Sequence, residues 1–257
     1  MDDAHEALKR LLDPVERARL AATHDRADRR RFLLGCAISR IALGEFLAVE
    51  PEEVGLLRHC PTCGGPHGKV RVRGEEASGI RLSVTHSGDL VGVAFCRSAD
   101  VGLDVEPVDT AVDVAGLAPT VLGDSEIAAL DSVPPHDRTR AFLRYWTRKE
   151  AVAKALGIGI FTTLRRLEMT APDAPAAIAA WPERPDTASR VQVIDLRPPL
   201  GGDYCACLAV ADASPVAVEQ HRVGSRLRDW ARLADRHPRP PGPPALAVGT
   251  VDTRPEQ

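Results

Sequence analysis

The sequence predicts an α+β protein built from two similar subdomains, because one layout, helices followed by a β-hairpin, occurs once in each half. Two periodicities carry this reading. Apolar residues recur every three to four positions in the helical stretches and every second position in the strands. No sequence repeat links the halves. The first subdomain is placed at 1–102, the second at 103–225, and a separate tail at 236–257.

The chain has 257 residues, enough for one large domain or two modest ones, with the 44% apolar and 27% charged content of ordinary globular proteins. Its net charge of -3 lacks the basic excess that a general nucleic-acid binder or a membrane-surface protein needs. There is no early apolar run behind a basic start and no apolar stretch of membrane-spanning length. Six cysteines, at 36, 60, 63, 96, 205 and 207, are too scattered for a disulfide framework. The expectation is a cytoplasmic protein with neither a membrane nor a nucleic acid as partner.

Asp13-Pro14-Val15-Glu16 opens a helix, with Asp as N-cap, Pro at N1 and Glu at N3. A basic run, Arg26 and Arg29-Arg30-Arg31, leads into the apolar helical stretch 32–38; alone, such a run is a solvated helix face. His59-Cys60-Pro61-Thr62-Cys63 has the outline of a zinc knuckle. A structural zinc site needs four ligands, and no second pair follows, so the expectation is a Gly- and Pro-rich loop with two free thiols that ends at Lys69. Residues 82–95 read as two alternating strands around a Ser87-Gly88-Asp89 turn, with Thr85 and His86 at a strand end.

Val101-Gly102-Leu103-Asp104-Val105-Glu106 alternates as a strand that buries three aliphatics and projects both carboxylates from the face of Gly102. Like charges two residues apart repel, and a cation between them relieves this; Mg2+ is held by a few carboxylates with water and substrate phosphate. Taken alone, the strand reads as a half-buried edge strand with a wet acidic face rather than as a metal site. Residues 107–119 read as a linker of low periodicity, and a short helix opens at Asp124-Ser125-Glu126. After Pro134-Pro135 a long helix runs to a glycine stop at Gly157.

Within that helix Phe142, Tyr145, Trp146, Lys149, Ala153 and Leu156 recur at helical spacing, and Trp146, Glu150 and Lys154 lie four apart on one side. On a solvated helix a Glu–Lys pair at this spacing is worth only about 0.2–0.5 kcal/mol. Lysine occurs only at 9, 69, 149 and 154, in a chain that otherwise uses arginine, and an ammonium is not interchangeable with a flat guanidinium against a phosphate. Strands follow at 164–169 and 190–196, the latter pairing as a hairpin with 203–210. From Pro238 the run Pro238-Arg239-Pro240-Pro241-Gly242-Pro243-Pro244 and the polar end cannot form a core, so the tail is expected to be disordered.

The strand V-G-L-D-V-E, followed roughly forty residues later by W-T-R-K-E-A-V-A-K-A-L-G, resembles the signature of the Sfp-type 4′-phosphopantetheinyl transferase family. The resemblance spans roughly the first 220 residues. It implies that the two subdomains form a pseudo-twofold intramolecular dimer, the 4′-phosphopantetheinyl transferase fold, with the site at their seam. The implied activity is that of a holo-[acyl-carrier-protein] synthase type enzyme. With Mg2+ it moves 4′-phosphopantetheine from coenzyme A to a serine of an apo acyl or peptidyl carrier protein and releases 3′,5′-ADP.

The resemblance further implies Asp104, Glu106 and Glu150 as metal ligands, Lys154 as the cation on the transferring phosphate, Lys149 as a second cation near it, and Trp146 as helix packing. Glu150 is also implied as the group that takes the serine proton. A metal-bound carboxylate is a weaker base, so ligand and base are competing claims on one side chain. Counted from Gly35, Arg31 and Arg26 fall where the family places basic residues on coenzyme A phosphates. Lys69 stands in Gly68-Lys69-Val70 where the family has Gly-Lys-Pro, and Thr85-His86-Ser87 replaces its Ser-His-Ser, whose histidine bonds a coenzyme phosphate. The implied partners are carrier proteins of fatty-acid, polyketide or nonribosomal peptide synthases, with secondary-metabolite biosynthesis as a setting, and the internal pseudo-dimer makes a monomer the expectation. Two rivals stand beside this reading: another Mg2+-dependent phosphodiester or pyrophosphate hydrolase, and a non-catalytic zinc module around Cys60 and Cys63.

Overall fold

A computed structural model of the protein describes residues 3–60, 63–65, 68–74, 79–97, 99–109, 111–158, 164–198, 203–224, 227 and 247–252, with side chains left undescribed at 3–5 and 247–252. The chain divides into one unit formed by Met1–Arg97 with Val218–Gln257 and a second formed by Ser98–Ala217. Each has its own apolar cluster. The mixed α+β class expected from the sequence holds, while the boundary falls before residue 98 rather than after 102, and residues 218–225 go with the first unit.

In the first unit, α1 (Asp3–Arg10) and α2 (Pro14–Ala22) precede a 22-residue helix, α3 (Arg26–Leu47). The start of α2 is the predicted one: Asp13 Oδ1 accepts from the Glu16 amide at 2.8 Å, and Glu16 Oε2 accepts from the Asp13 amide at 3.1 Å. β1 (Leu56–Arg58) and β2 (Val70–Val72) pair antiparallel, from Leu56 opposite Val72 to Arg58 opposite Val70. β3 (Ile80–Ser87) and β4 (Leu90–Arg97) pair along their whole length, from Ile80 opposite Arg97 to Ser87 opposite Leu90. Their tight turn uses Gly88 at φ 53, a left-handed conformation that costs glycine little. Gly35 lets α3 lie on this hairpin, since a Cβ there would stand 3.1 Å from Val84 Cγ1 and 3.7 Å from Val91 Cγ1.

The sheet of this unit is completed from the end of the chain. β11 (Ala247–Asp252) pairs antiparallel with β4, from Val248 opposite Ala94 to Asp252 opposite Leu90, and β10 (Glu219–Arg222) pairs parallel with β11. This corrects the expectation of a disordered tail at 247–252. The proline-rich run that prompted it, 238–244, lies outside the described residues, and Ala-Val-Gly-Thr-Val-Asp beyond it carries the β-branched residues that a strand favours.

In the second unit, β5 (Val101–Pro107), β9 (Tyr204–Val210) and β8 (Gln192–Leu196) form an antiparallel sheet in the order β5-β9-β8, so the late hairpin appears as expected. α4 (Val114–Val121), α5 (Asp124–Asp131) and the 22-residue α6 (Pro135–Leu156) complete the unit with one short antiparallel pair, β6 (Glu168–Met169) and β7 (Ile178–Ala180). α4 occupies part of the stretch read as a linker: Asp113 caps it by accepting from the Gly116 amide at 3.0 Å, which outweighs the breaker signals of Gly116 and Pro119. α6 ends at Gly157 in the left-handed conformation, φ 67, as its sequence predicts. No helix among the described residues is long and apolar enough to cross a membrane.

Candidate active site

β5 and α6 bring three of the candidate residues together. Strand alternation puts Gly102, Asp104 and Glu106 on one face of β5, and that face meets α6: a Cβ on Gly102 would overlap the Ala151 carbonyl oxygen and the Ala155 amide nitrogen. The acidic face that a lone strand would leave wet is therefore covered, and Asp104 is only 4% exposed. One turn beyond Ala151, Lys154 Nζ donates to Asp104 Oδ1 at 2.6 Å and to the Leu103 carbonyl at 3.2 Å. Its side chain keeps 31% exposure, enough for a ligand to reach the ammonium.

Glu150 lies one turn before Lys154, is 6% exposed, and its Oε1 is buried with no hydrogen-bond partner among the described residues. Burial raises its carboxyl above the usual range, Lys154 pulls it back, and the negative charge of Asp104 raises it further. A buried carboxylate oxygen without a partner is costly unless a cation or donor comes to it. Among the described residues no three His, Cys, Asp or Glu side chains converge on one point, so Asp104, Glu106 and Glu150 do not form a preformed three-carboxylate cage. Lys154 holds Oδ1 of Asp104, and Glu106 sits half-buried two residues nearer the strand end.

Lys149 departs from its expected role. It is five residues from Lys154, about 140° around an α-helix, and points into the core. The ammonium, with 0% exposure, donates to Glu126 Oε2 at 2.5 Å, to the Val121 carbonyl at 2.9 Å and to the Leu164 carbonyl at 2.9 Å. All three of its protons are committed, leaving none for a phosphate. This corrects the assignment of Lys149 as a cation for the coenzyme. Burial raises the Glu126 carboxyl and lowers the Lys149 ammonium, and their mutual attraction opposes both shifts.

Sequence reasoning missed Glu126 as a partner. Its one visible signal was its place at N3 of α5, where Oε2 also accepts from the Gly123 amide at 2.8 Å. Arg148 is structural as well: its guanidinium forks onto Asp195 at 3.0 and 2.7 Å and donates to the carbonyls of Thr170 and Ala174. Trp146 packs against Phe142, with ring centroids 6.1 Å apart, as its helical spacing suggested.

The remaining candidates belong to the first unit. Arg31 sits one turn before Gly35 and reaches the β3–β4 turn, donating to the Gly88 carbonyl at 2.9 Å and to Asp28 Oδ1 at 2.6 Å. His86 is exposed and shares its strand face with Val84, the face that α3 covers, so Arg31 and His86 stand at one end of the same helix–hairpin contact. Thr85 is 5% exposed and points from the opposite face, which the alternation of the strand already dictates. Arg26 is exposed in the first turn of α3, about 140° around the helix from Arg31. Lys69 is half-buried immediately before β2.

Residues 100–209 match the family model described as ACPS, 4′-phosphopantetheinyl transferase superfamily, an interval that holds Asp104, Glu106, Lys149, Glu150 and Lys154. Over that interval the chain is similar to the 4′-phosphopantetheinyl transferase superfamily. Among curated members, the 4′-phosphopantetheinyl transferase HetI of Nostoc sp. (strain PCC 7120 / SAG 25.82 / UTEX 2576) is 33% identical over 158 residues, covering 60% of this chain and 63% of that protein. A phosphopantetheinyl transferase of Thraustochytrium sp. (strain ATCC 26185 / S-3) is 26% identical over 245 residues, covering 89% of this chain and 82% of that protein. The 4′-phosphopantetheinyl transferase AcpT of Escherichia coli (strain K12) is 35% identical over 76 residues, or 30% of this chain and 39% of its own length. The chain thus spans less than two thirds of HetI and of AcpT.

Proposed function

We propose that this protein is a 4′-phosphopantetheinyl transferase that moves 4′-phosphopantetheine from coenzyme A to a serine of an apo acyl or peptidyl carrier protein, releasing 3′,5′-ADP. The observation that carries the proposal is the cluster on β5 and α6. There the partly exposed Lys154 stands on a buried carboxylate, Asp104, beside a second buried carboxylate, Glu150, whose Oε1 has no hydrogen-bond partner among the described residues. Transfer of this kind depends mainly on positioning and on neutralising charge at the pyrophosphate. Lys154 supplies one such charge within reach of solvent. Burial strengthens Glu150 as a proton acceptor, which suits it to take the serine proton at Oε1.

Mg2+ fits the same residues. The ion is commonly bound by one or two carboxylates with water and substrate phosphate, and the buried Glu150 oxygen beside Asp104 is such a donor set; Glu106 is the third ligand in this reading. When bound, Mg2+ neutralises charge on the pyrophosphate. Arg31 and His86 at the β3–β4 end, with Arg26 and Lys69, are the groups proposed for the coenzyme phosphates, and Thr85 is the weaker member because it faces away from His86. The finer fold reading, two subdomains as a pseudo-twofold pair, is supported by the recurrence in each unit of a 22-residue helix beside an antiparallel hairpin. A cytoplasmic monomer acting on fatty-acid, polyketide or nonribosomal peptide carriers completes the proposal, and six cysteines outside any disulfide suit a reducing compartment.

The test is intact-mass analysis of an apo carrier protein incubated with coenzyme A, Mg2+ and this protein. A Glu150→Ala variant and a chelator run beside it. The expected result is a gain of one phosphopantetheine that both controls abolish. Unmodified carriers from several synthase types, with coenzyme A hydrolysed instead, would transfer the argument to the hydrolase.

A further inference from the structure

We infer that Lys149 and Glu126 form a register pin that fixes where Glu150 and Lys154 stand against Asp104, a positioning role within the transferase reading on which this inference rests. Lys149 ties the middle of α6 to the carbonyls of Val121 and Leu164, while Glu126 ties α5 to the amides of Gly123 and Met169 at 2.8 Å each. One buried pair therefore holds α6 to two backbone segments, before α5 and after α6. Every one of these contacts is directional.

The placement of the pair on the helix explains what it does. Lys149 and Ala151 are two residues apart, about 200° around the axis, so the pin grips α6 on the side opposite the Gly102 contact at Ala151 and Ala155. Glu150 projects from the flank between these two grips, and Lys154 follows one turn later. An apolar pair at 126 and 149 would fill the same space, at the cost of leaving the carbonyls of Val121 and Leu164 and the amides of Gly123 and Met169 without these partners. What an apolar pair would not do is forbid a small rotation or slide of α6, because dispersion contacts have no preferred direction. The pin thus sets the rotation of α6, and with it the 2.6 Å contact between Lys154 and Asp104.

The test uses the full chain with Lys149→Met and Glu126→Leu combined, and Glu126→Gln as a milder variant that keeps the side-chain size and one acceptor. The first readout needs no activity: competitive acylation of lysines, read by mass spectrometry in a chain with lysine only at 9, 69, 149 and 154. In folded double variant, judged by circular dichroism and a cooperative melt well above the assay temperature, Lys154 is expected to acylate at least about threefold faster, with Lys9 and Lys69 unchanged. The second readout is carrier modification, expected to lose about tenfold or more in kcat with KM for coenzyme A within about twofold. Glu126→Gln should move both readouts the same way by less. An unchanged Lys154 rate in either folded variant overturns the pin. A faster Lys154 with wild-type kcat overturns its catalytic consequence. A wild-type protein that modifies no carrier overturns the transferase reading, and the acylation rates then decide the pin by themselves.

Discussion

Replacing Gly102 with alanine puts a methyl group where α6 already stands. The two atoms it meets, the Ala151 carbonyl oxygen and the Ala155 amide nitrogen, are backbone, and they bond one another within the helix, so no side chain can turn aside to make room. Restoring the ordinary ~3.5 Å separation of non-bonded atoms requires β5 and α6 to part by more than about 1 Å, roughly 1.6 Å at the carbonyl oxygen. Overpacking of this kind costs about 1–3 kcal/mol, and the absence of a flexible neighbour puts Gly102→Ala near the upper end. At ~2–4 °C per kcal/mol for a chain of this size, melting should fall by roughly 6–12 °C.

The same parting carries a larger penalty at the site. Lys154 and Asp104 sit on the two elements being separated, and their 2.6 Å contact would open beyond hydrogen-bond range. A displacement of about 1 Å in a catalytic constellation commonly costs about 100-fold in rate. Thermal melts and carrier-modification kinetics on Gly102→Ala measure both quantities. A variant that melts within about 1 °C of the wild type and keeps its rate within about twofold would refute the claim that this contact sets the site.

Two further outcomes are expected. Glu150→Gln should cost at least about 100-fold in transfer while leaving the melt at neutral pH unchanged or higher in Mg2+-free buffer. Because burial raises the folded-state value of Glu150 above the ordinary 4.5, its contribution to stability is full below that value and is lost as pH rises through the raised one; the amide removes this loss, and a Glu150→Gln protein less stable than wild type at pH 8 contradicts the argument. In native labelling with iodoacetamide at pH 8, exposed Cys63 should react first. Buried Cys205, pushed up to about 11, and Cys207, raised further by complete burial, should stay silent until the protein unfolds; early labelling at either would contradict their placement.

The parts legible in the sequence are those that local physics decides. The Asp13–Glu16 capping box, the β3–β4 hairpin turn at Gly88, the Gly157 stop and the alternation of β5 each follow from a few adjacent residues. The pairing of the V-G-L-D-V-E strand with the W-T-R-K-E helix was legible as a pattern, and the structure supplies its reason in the glycine contact. The direction of Lys149 was not legible. Two lysines in one motif look alike in sequence, and only the placement of Glu126 and two distant carbonyls decides that one serves the core and the other the site. Thr85 shows the reverse case, since period-two alternation already set it on the face opposite His86.

The sheet of the first unit is also a statement about time. Its inner strand, β4, is made before the second unit and the strand that covers its edge, β11, is made after it. An open strand edge is a template for pairing with other chains. While the second unit is being synthesised, β4 therefore waits for a partner that the chain itself has yet to produce.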